Sequence, residues 1–110
     1  IADGNKLILG PLMADEVPTV QATARAAKVP VISFTNESSV AGPDVFVIGH
    51  IPEQSIRRSV EYARTRGATR FAALVPEGDY GNRAVSALDN ALSDYGGVLA
   101  GKHTYARGNT

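Results

Sequence analysis

Residues 71–81 read Phe-Ala-Ala-Leu-Val-Pro-Glu-Gly-Asp-Tyr-Gly. The first five are apolar without alternation, which predicts a buried strand of a parallel sheet. Pro76 to Gly81 is dense in turn formers and reads as a loop. Beyond it, Ala84, Val85, Leu88, Ala91, Leu92 and Tyr95 recur at helical spacing, and Gly96-Gly97 ends that helix. Val98-Leu99-Ala100 then begins another strand, extending toward Tyr105. A strand, a helix and a strand in close succession form the unit from which parallel sheets are built.

The same grammar runs back toward the N-terminus. Lys6-Leu7-Ile8-Leu9, closed by Gly10-Pro11, predicts a buried strand. Asp15 is placed to cap a helix whose apolar positions are Val17, Val20, Ala24 and Ala27, with Pro18 in its first turn. That helix stops before Val29-Pro30, because a residue preceding proline avoids the α region. Val31 to Phe34 is the next strand, Thr35 to Pro43 a polar loop, and Val45 to Ile48 a third strand. Pro52 opens a helix with Ile56, Val60 and Ala63 on its buried stripe, closed by Gly67. The predicted fold class is therefore α/β, a parallel sheet in three layers (α/β/α). Phe34 to Ile48 breaks the alternation, since two strands follow each other with no helix between. It is a candidate crossing between two lobes. Residues 1–50 would then close a first-lobe segment and residues 51–110 begin a second.

With 110 residues, 44% of them apolar, the chain can bury a core but makes one small domain at most. Lys and Arg total 11 and Asp and Glu total 11, so no net charge draws it to nucleic acid, and no nucleic-acid partner is expected. Arg57, Arg58, Arg64 and Arg66 read as a solvated helix face. The absence of cysteine excludes disulfides, a Cys-based zinc site and a thiol nucleophile. The chain starts Ile1-Ala2-Asp3 and stops just after a strand, so it reads as a segment of a larger protein.

In an open parallel sheet, ligands bind outside the carboxyl ends of the strands. Here that means the loops Gly10 to Asp15, Thr35 to Ser39 and Glu77 to Gly81. Two of these run into helix N-termini, which favour an anion such as a carboxylate. No phosphate loop, nucleophile elbow or zinc-protease motif is present, and Gly78-Asp-Tyr-Gly81 is not a dinucleotide fingerprint. His50 and His103 lie far apart and read as exposed or loop residues, and Glu77 and Asp79 as turn formers. Ser38 and Ser39 would either meet a ligand or satisfy their own loop. Tyr80 would either contact a ligand or cap the apolar layer. The residues point to binding rather than catalysis, with no metal and no cofactor expected.

The series Leu-Ile-Leu-Gly-Pro-Leu (7–12), Val-Pro-Val-Ile-Ser-Phe (29–34) and Phe-Ala-Ala-Leu-Val-Pro with Asp-Tyr-Gly (71–81) resembles the type 1 periplasmic binding proteins, the superfamily of Leu/Ile/Val-binding receptors. The stretches 35–42, Thr-Asn-Glu-Ser-Ser-Val-Ala-Gly, and 49–54, Gly-His-Ile-Pro-Glu-Gln, are most similar to bacterial penicillin-binding protein activators (LppC-type lipoproteins). The resemblance implies a two-lobed fold with a first crossover near His50 and a ligand held between the lobes. It implies ligand-binding positions at Leu12, Ala14, Asn36, Ser38 and Tyr80. Amino-acid receptors of this superfamily use a hydroxyl near the position of Ala14, where this chain has none. Two partners follow: a peptidoglycan synthase, if it is an activator, or an ABC permease, if it is a receptor for branched-chain or related amino acids. A small polar ligand such as an amino acid is implied in the second case. A periplasmic location is implied, with an outer-membrane lipid anchor on a preceding N-terminal part. A segment of such a fold has uncovered sheet edges and faces and is expected to self-associate.

Overall fold

The computed structural model describes residues 1–108 and divides the chain into two compact units, Ile1–Ile51 and the remainder from Pro52 onward. In the first, strand β1 (Ile8–Leu9) leads through a single 3₁₀ turn (Ala14–Glu16) into helix α1 (Val17–Ala26). Strand β2 (Val31–Ser33) and strand β3 (Val45–Val47) follow, and all three strands are parallel in the order β1-β2-β3. Register sets Ile8 beside Val31 and Val31 beside Val45. Val31 and Val45 are buried with Val17 and Ala24 of α1, and Ile8, Val20 and Val40 pack around them.

Two details depart from the sequence reading, and the closure of α1 at Lys28 adds to it. Asp15 does not cap α1 but lies inside the 3₁₀ turn. That turn runs straight into the helix, and the Glu16 carboxylate accepts from the Met13 amide at 3.3 Å. Lys28 takes the left-handed conformation (φ 55°) often filled by glycine, and the Val29 amide returns to the Ala24 carbonyl at 2.9 Å to close the helix. The two strands with no α-helix between them, β2 and β3, are neighbours in one sheet. A second 3₁₀ turn (Ser38–Val40) stands in their crossover, with Val40 packed on the core. The chain passes to the second unit only after β3.

The strands expected to be fully buried carry a helix on one face within these residues. The other face shows Leu7, Leu9, Phe34, Phe46 and Ile48, between 44% and 66% exposed. The physical reason is register: odd residues of β1 and even residues of β2 and β3 point away from α1.

In the second unit helix α2 (Pro52–Thr65) precedes strand β4 (Arg70–Pro76), helix α3 (Asp79–Tyr95) and strand β5 (Val98–Tyr105). β4 and β5 pair in parallel, with a register shift between Phe71 and Ala72. Val60, Leu88, Ala91 and Leu92 form the core, with Phe71, Ala73 and Leu99 beneath. Of the α2 arginines, Arg57, Arg58 and Arg66 are exposed as a solvated face requires, whereas Arg64 is part-buried. Arg64 donates to the Tyr95 carbonyl (3.0 Å) and the Ala68 carbonyl (2.7 Å), so one guanidinium joins the end of α3 to the turn after α2. Arg57 pairs with Asp94 and lies 5.2 Å from the Tyr95 ring centre. Arg83 grips Glu53 through two hydrogen bonds of 3.0 and 3.1 Å, tying α3 to α2.

At the amino ends of the first unit's strands, Asp44 accepts from Arg25 (2.7 and 3.0 Å) and Gln21 (3.0 Å). These hydrogen bonds, Arg25's first, hold the Asp44 carboxyl well below the usual carboxylate range. A folded-state pKa below the unfolded value of about 3.9 gives stability that is full above it and lost as pH falls through the folded value. Stability should therefore fall as the medium is acidified below about pH 4, and Asp44→Asn should flatten that decline. Urea midpoints measured from pH 6 downward check this. With Arg25 largely exposed, added salt should shrink the difference.

Candidate functional site

The carboxyl ends of β1, β2 and β3 are joined by hydrogen bonds before any ligand is considered. The Gly10 amide donates to the Ile32 carbonyl (2.8 Å) and the Phe34 amide to the Pro11 carbonyl (3.0 Å). The Ser33 hydroxyl donates to the same Pro11 carbonyl at 2.9 Å. From there a stair of side-chain acceptors fixes the next loop. Thr35 N donates to Ser33 Oγ (3.3 Å), Glu37 N to Thr35 Oγ1 (3.1 Å) and Ser39 N to Glu37 Oε1 (3.3 Å). Each step reaches two residues ahead, the local bonding that favours turns over regular structure. Odd-numbered side chains are occupied in shaping the loop, and Asn36 and Ser38 are set between them. The loop after β3 leans on this stair. A β-carbon added at Gly49 would overlap the Thr35 carbonyl, so only glycine fits there.

The candidate binding residues are distributed over both units. Leu12 is 67% exposed, and Ala14, half-buried, opens the first 3₁₀ turn. Asn36 is half-buried, and exposed Ser38 opens the second 3₁₀ turn. These four stand at the carboxyl ends of the adjoining strands β1 and β2. Tyr80 belongs to the second unit, in the first turn of α3, and is 42% exposed.

Around Tyr80 the second unit has its own concavity, a groove of about 620 Å³ whose walls include Ile56, Val60, Phe71, Leu74, Tyr80 and Tyr105. It is mainly apolar, with two phenol groups as polar handles. Gly78 enters α3 with φ 100°, and Glu77 N donates to the Tyr105 carbonyl at 2.9 Å. A β-carbon at Gly81 would overlap the Pro76 carbonyl, so the Tyr-Gly pair lets α3 start against the end of β4. Asp79 lies in that first helical turn, where a carboxylate complements the helix dipole. His50 and His103 are both exposed. Among the described residues no three His, Cys, Asp or Glu side chains gather as metal ligands would.

Two features of the first unit escaped the sequence reading. One is the buried pair Ser33 and Thr35; its signal was a polar residue at every second position from 33 to 39. The other is the apolar character of the first loop, where Leu12 is joined by Met13, 57% exposed.

The sequence profile of a family described as "Periplasmic binding protein" matches residues 1–110. A relative from Rickettsia prowazekii (strain Madrid E), "Uncharacterized protein RP748", is 29% identical over 92 residues, which are 84% of this chain and 24% of the relative. The structure of an ABC transporter substrate-binding protein from Sphaerobacter thermophilus is similar with a TM-score of 0.78 at 19% identity, over 98% of this chain and 31% of that one. Full-length LpoA from Haemophilus influenzae is similar with a TM-score of 0.69 at 21% identity, over 94% of this chain and 20% of that one. The chain thus spans between a fifth and a third of the length of each.

Gly49→Ala tests the tight contact among the loops. The added methyl must push the Thr35 carbonyl aside, so denaturant unfolding should report a loss of about 1–3 kcal/mol, as for other overpacked sites. Unchanged stability would mean that the loops are free to separate.

Proposed function

The chain belongs to the periplasmic binding protein family, and on that premise we propose that it is the non-enzymatic part of a penicillin-binding protein activator that regulates peptidoglycan synthesis. The observation that carries this reading is the loop after β1. A receptor that grips an amino-acid carboxylate benefits from a hydroxyl there, and Leu12, Met13 and Ala14 supply none. Leu12 and Met13 are more than half exposed, and Phe34 at the next strand end is 44% exposed. Exposed apolar side chains on a rigid platform suit contact with another protein better than capture of a small polar solute. The fold likeness to LpoA and the resemblance of residues 35–42 and 49–54 to activators support the same reading. In it, Leu12, Ala14, Asn36 and Ser38 form the contact surface, residues 1–50 end a first-lobe segment and residues 51–110 start a second-lobe segment, and the protein works in the periplasm on an outer-membrane lipid anchor.

A second reading, a solute receptor of an ABC transporter for branched-chain or related amino acids, is favoured by the likeness to the Sphaerobacter thermophilus protein and by the groove beside Tyr80. Purified intact protein separates the two. It is expected to raise the glycan-polymerising rate of a peptidoglycan synthase, with Leu12→Asp reducing the effect at least tenfold, on the scale of a lost interface anchor. Micromolar heats of binding with leucine, isoleucine or valine, and no effect on the synthase, would establish the receptor instead.

The uncovered face of the first unit predicts the behaviour of the 110-residue segment expressed alone. It should run as a multimer in light scattering, and Phe46→Asp should shift it toward monomer. A wild-type monomer with a cooperative melt would contradict this.

A further inference from the structure

Ser33 and Thr35 are the buried polar residues among the described ones, with Ser33 sealed from solvent completely and Thr35 at 4% exposure. A hydroxyl in the interior costs free energy unless it is hydrogen-bonded, and strand pairing alone would be served as well by alanine or valine. The Ser33 hydroxyl uses both of its capacities. It donates to the Pro11 carbonyl (2.9 Å) and accepts from the Thr35 amide (3.3 Å). Pro11 is the residue directly before Leu12, and Thr35 the residue directly before Asn36. A single oxygen atom therefore touches the root of both candidate contact segments in the first unit.

We infer that Ser33 is a positioning residue, whose hydroxyl sets the spacing between the Leu12–Ala14 and Asn36–Ser38 segments of the contact surface. Its importance for function rests on the activator reading; its linkage of the two loops does not. The argument is geometric. The Phe34 amide also reaches the Pro11 carbonyl, at 3.0 Å, but that backbone bond offers the Thr35 amide no acceptor. The Ser33 side-chain oxygen is bonded both to the first loop and to the first step of the stair. Ser33→Ala removes that one atom from a site sealed from solvent.

The test uses the intact protein with Ser33→Ala and Ser33→Thr, the second keeping the hydroxyl. Amide hydrogen exchange followed by mass spectrometry is expected to rise roughly fivefold in Ser33→Ala, both in residues 10–16 and in residues 34–39, as loss of one net hydrogen bond implies. Helix α1 should be unchanged, and Ser33→Thr should restore wild-type exchange. Titrated against a peptidoglycan synthase, Ser33→Ala should need several-fold more protein for half-maximal stimulation while reaching the same maximum. Faster exchange confined to 34–39 would overturn the inference, leaving Ser33 a local turn residue. Faster exchange spread through α1 would also overturn it, by showing a general loss of stability. If the wild-type protein leaves the synthase unaffected, the activator reading falls, and the exchange result still decides the linkage of the loops.

Discussion

One row of side chains holds the first unit together. Ile8, Val31 and Val45 lie side by side across three parallel strands, with Val17 and Ala24 of α1 on top. The strands are only two or three residues long, so the ladder alone offers few hydrogen bonds. Burial of this row under a short helix carries the pairing. Everything at the carboxyl ends inherits its register from the row. A slip of one residue would turn Ser33 outward and Phe34 inward, and the stair from Ser33 to Ser39 would have no starting point. The candidate contact loops are thus built on the packing of this row beneath α1.

Much of this was readable in the sequence because the periods are strong. Non-alternating apolar runs at 31–34 and 71–75, each followed by a turn and joined through helical repeats, leave little choice but parallel pairing. Boundaries were less legible. Asp15 resembles a helix cap, but the 3₁₀ turn merges with α1 and moves the N-cap position to Glu16. Leu7, Leu9 and Phe46 look buried because hydropathy cannot tell which neighbour will cover a face. Their exposure follows from having α1 on one side only. The arginines of α2 look like a wet face, and Arg64 could not be read as the tie between two turns without knowing that Tyr95 and Ala68 come within its reach.

The candidate site was legible in position and less so in construction. The rule that ligands meet the carboxyl ends of parallel strands located the loops. The odd-numbered residues between 33 and 39 were hidden in a plain polar loop, because serine, threonine and glutamate serve equally as ligands and as loop fasteners. Tyr80 and Gly81 show the reverse case. There the sequence pair itself states the geometry, since a glycine must face the Pro76 carbonyl for α3 to start against the end of β4.

Each unit is made from an uninterrupted stretch of chain, with its core residues close together in sequence. A polypeptide emerging from its N-terminus can therefore finish the Ile8–Val31–Val45 row before Pro52 has appeared. Of the two units, the earlier one has α1 on one face of its sheet and exposed Leu9 and Phe46 on the other. While synthesis continues, the side bearing Leu9 and Phe46 is the part a chaperone would have reason to hold.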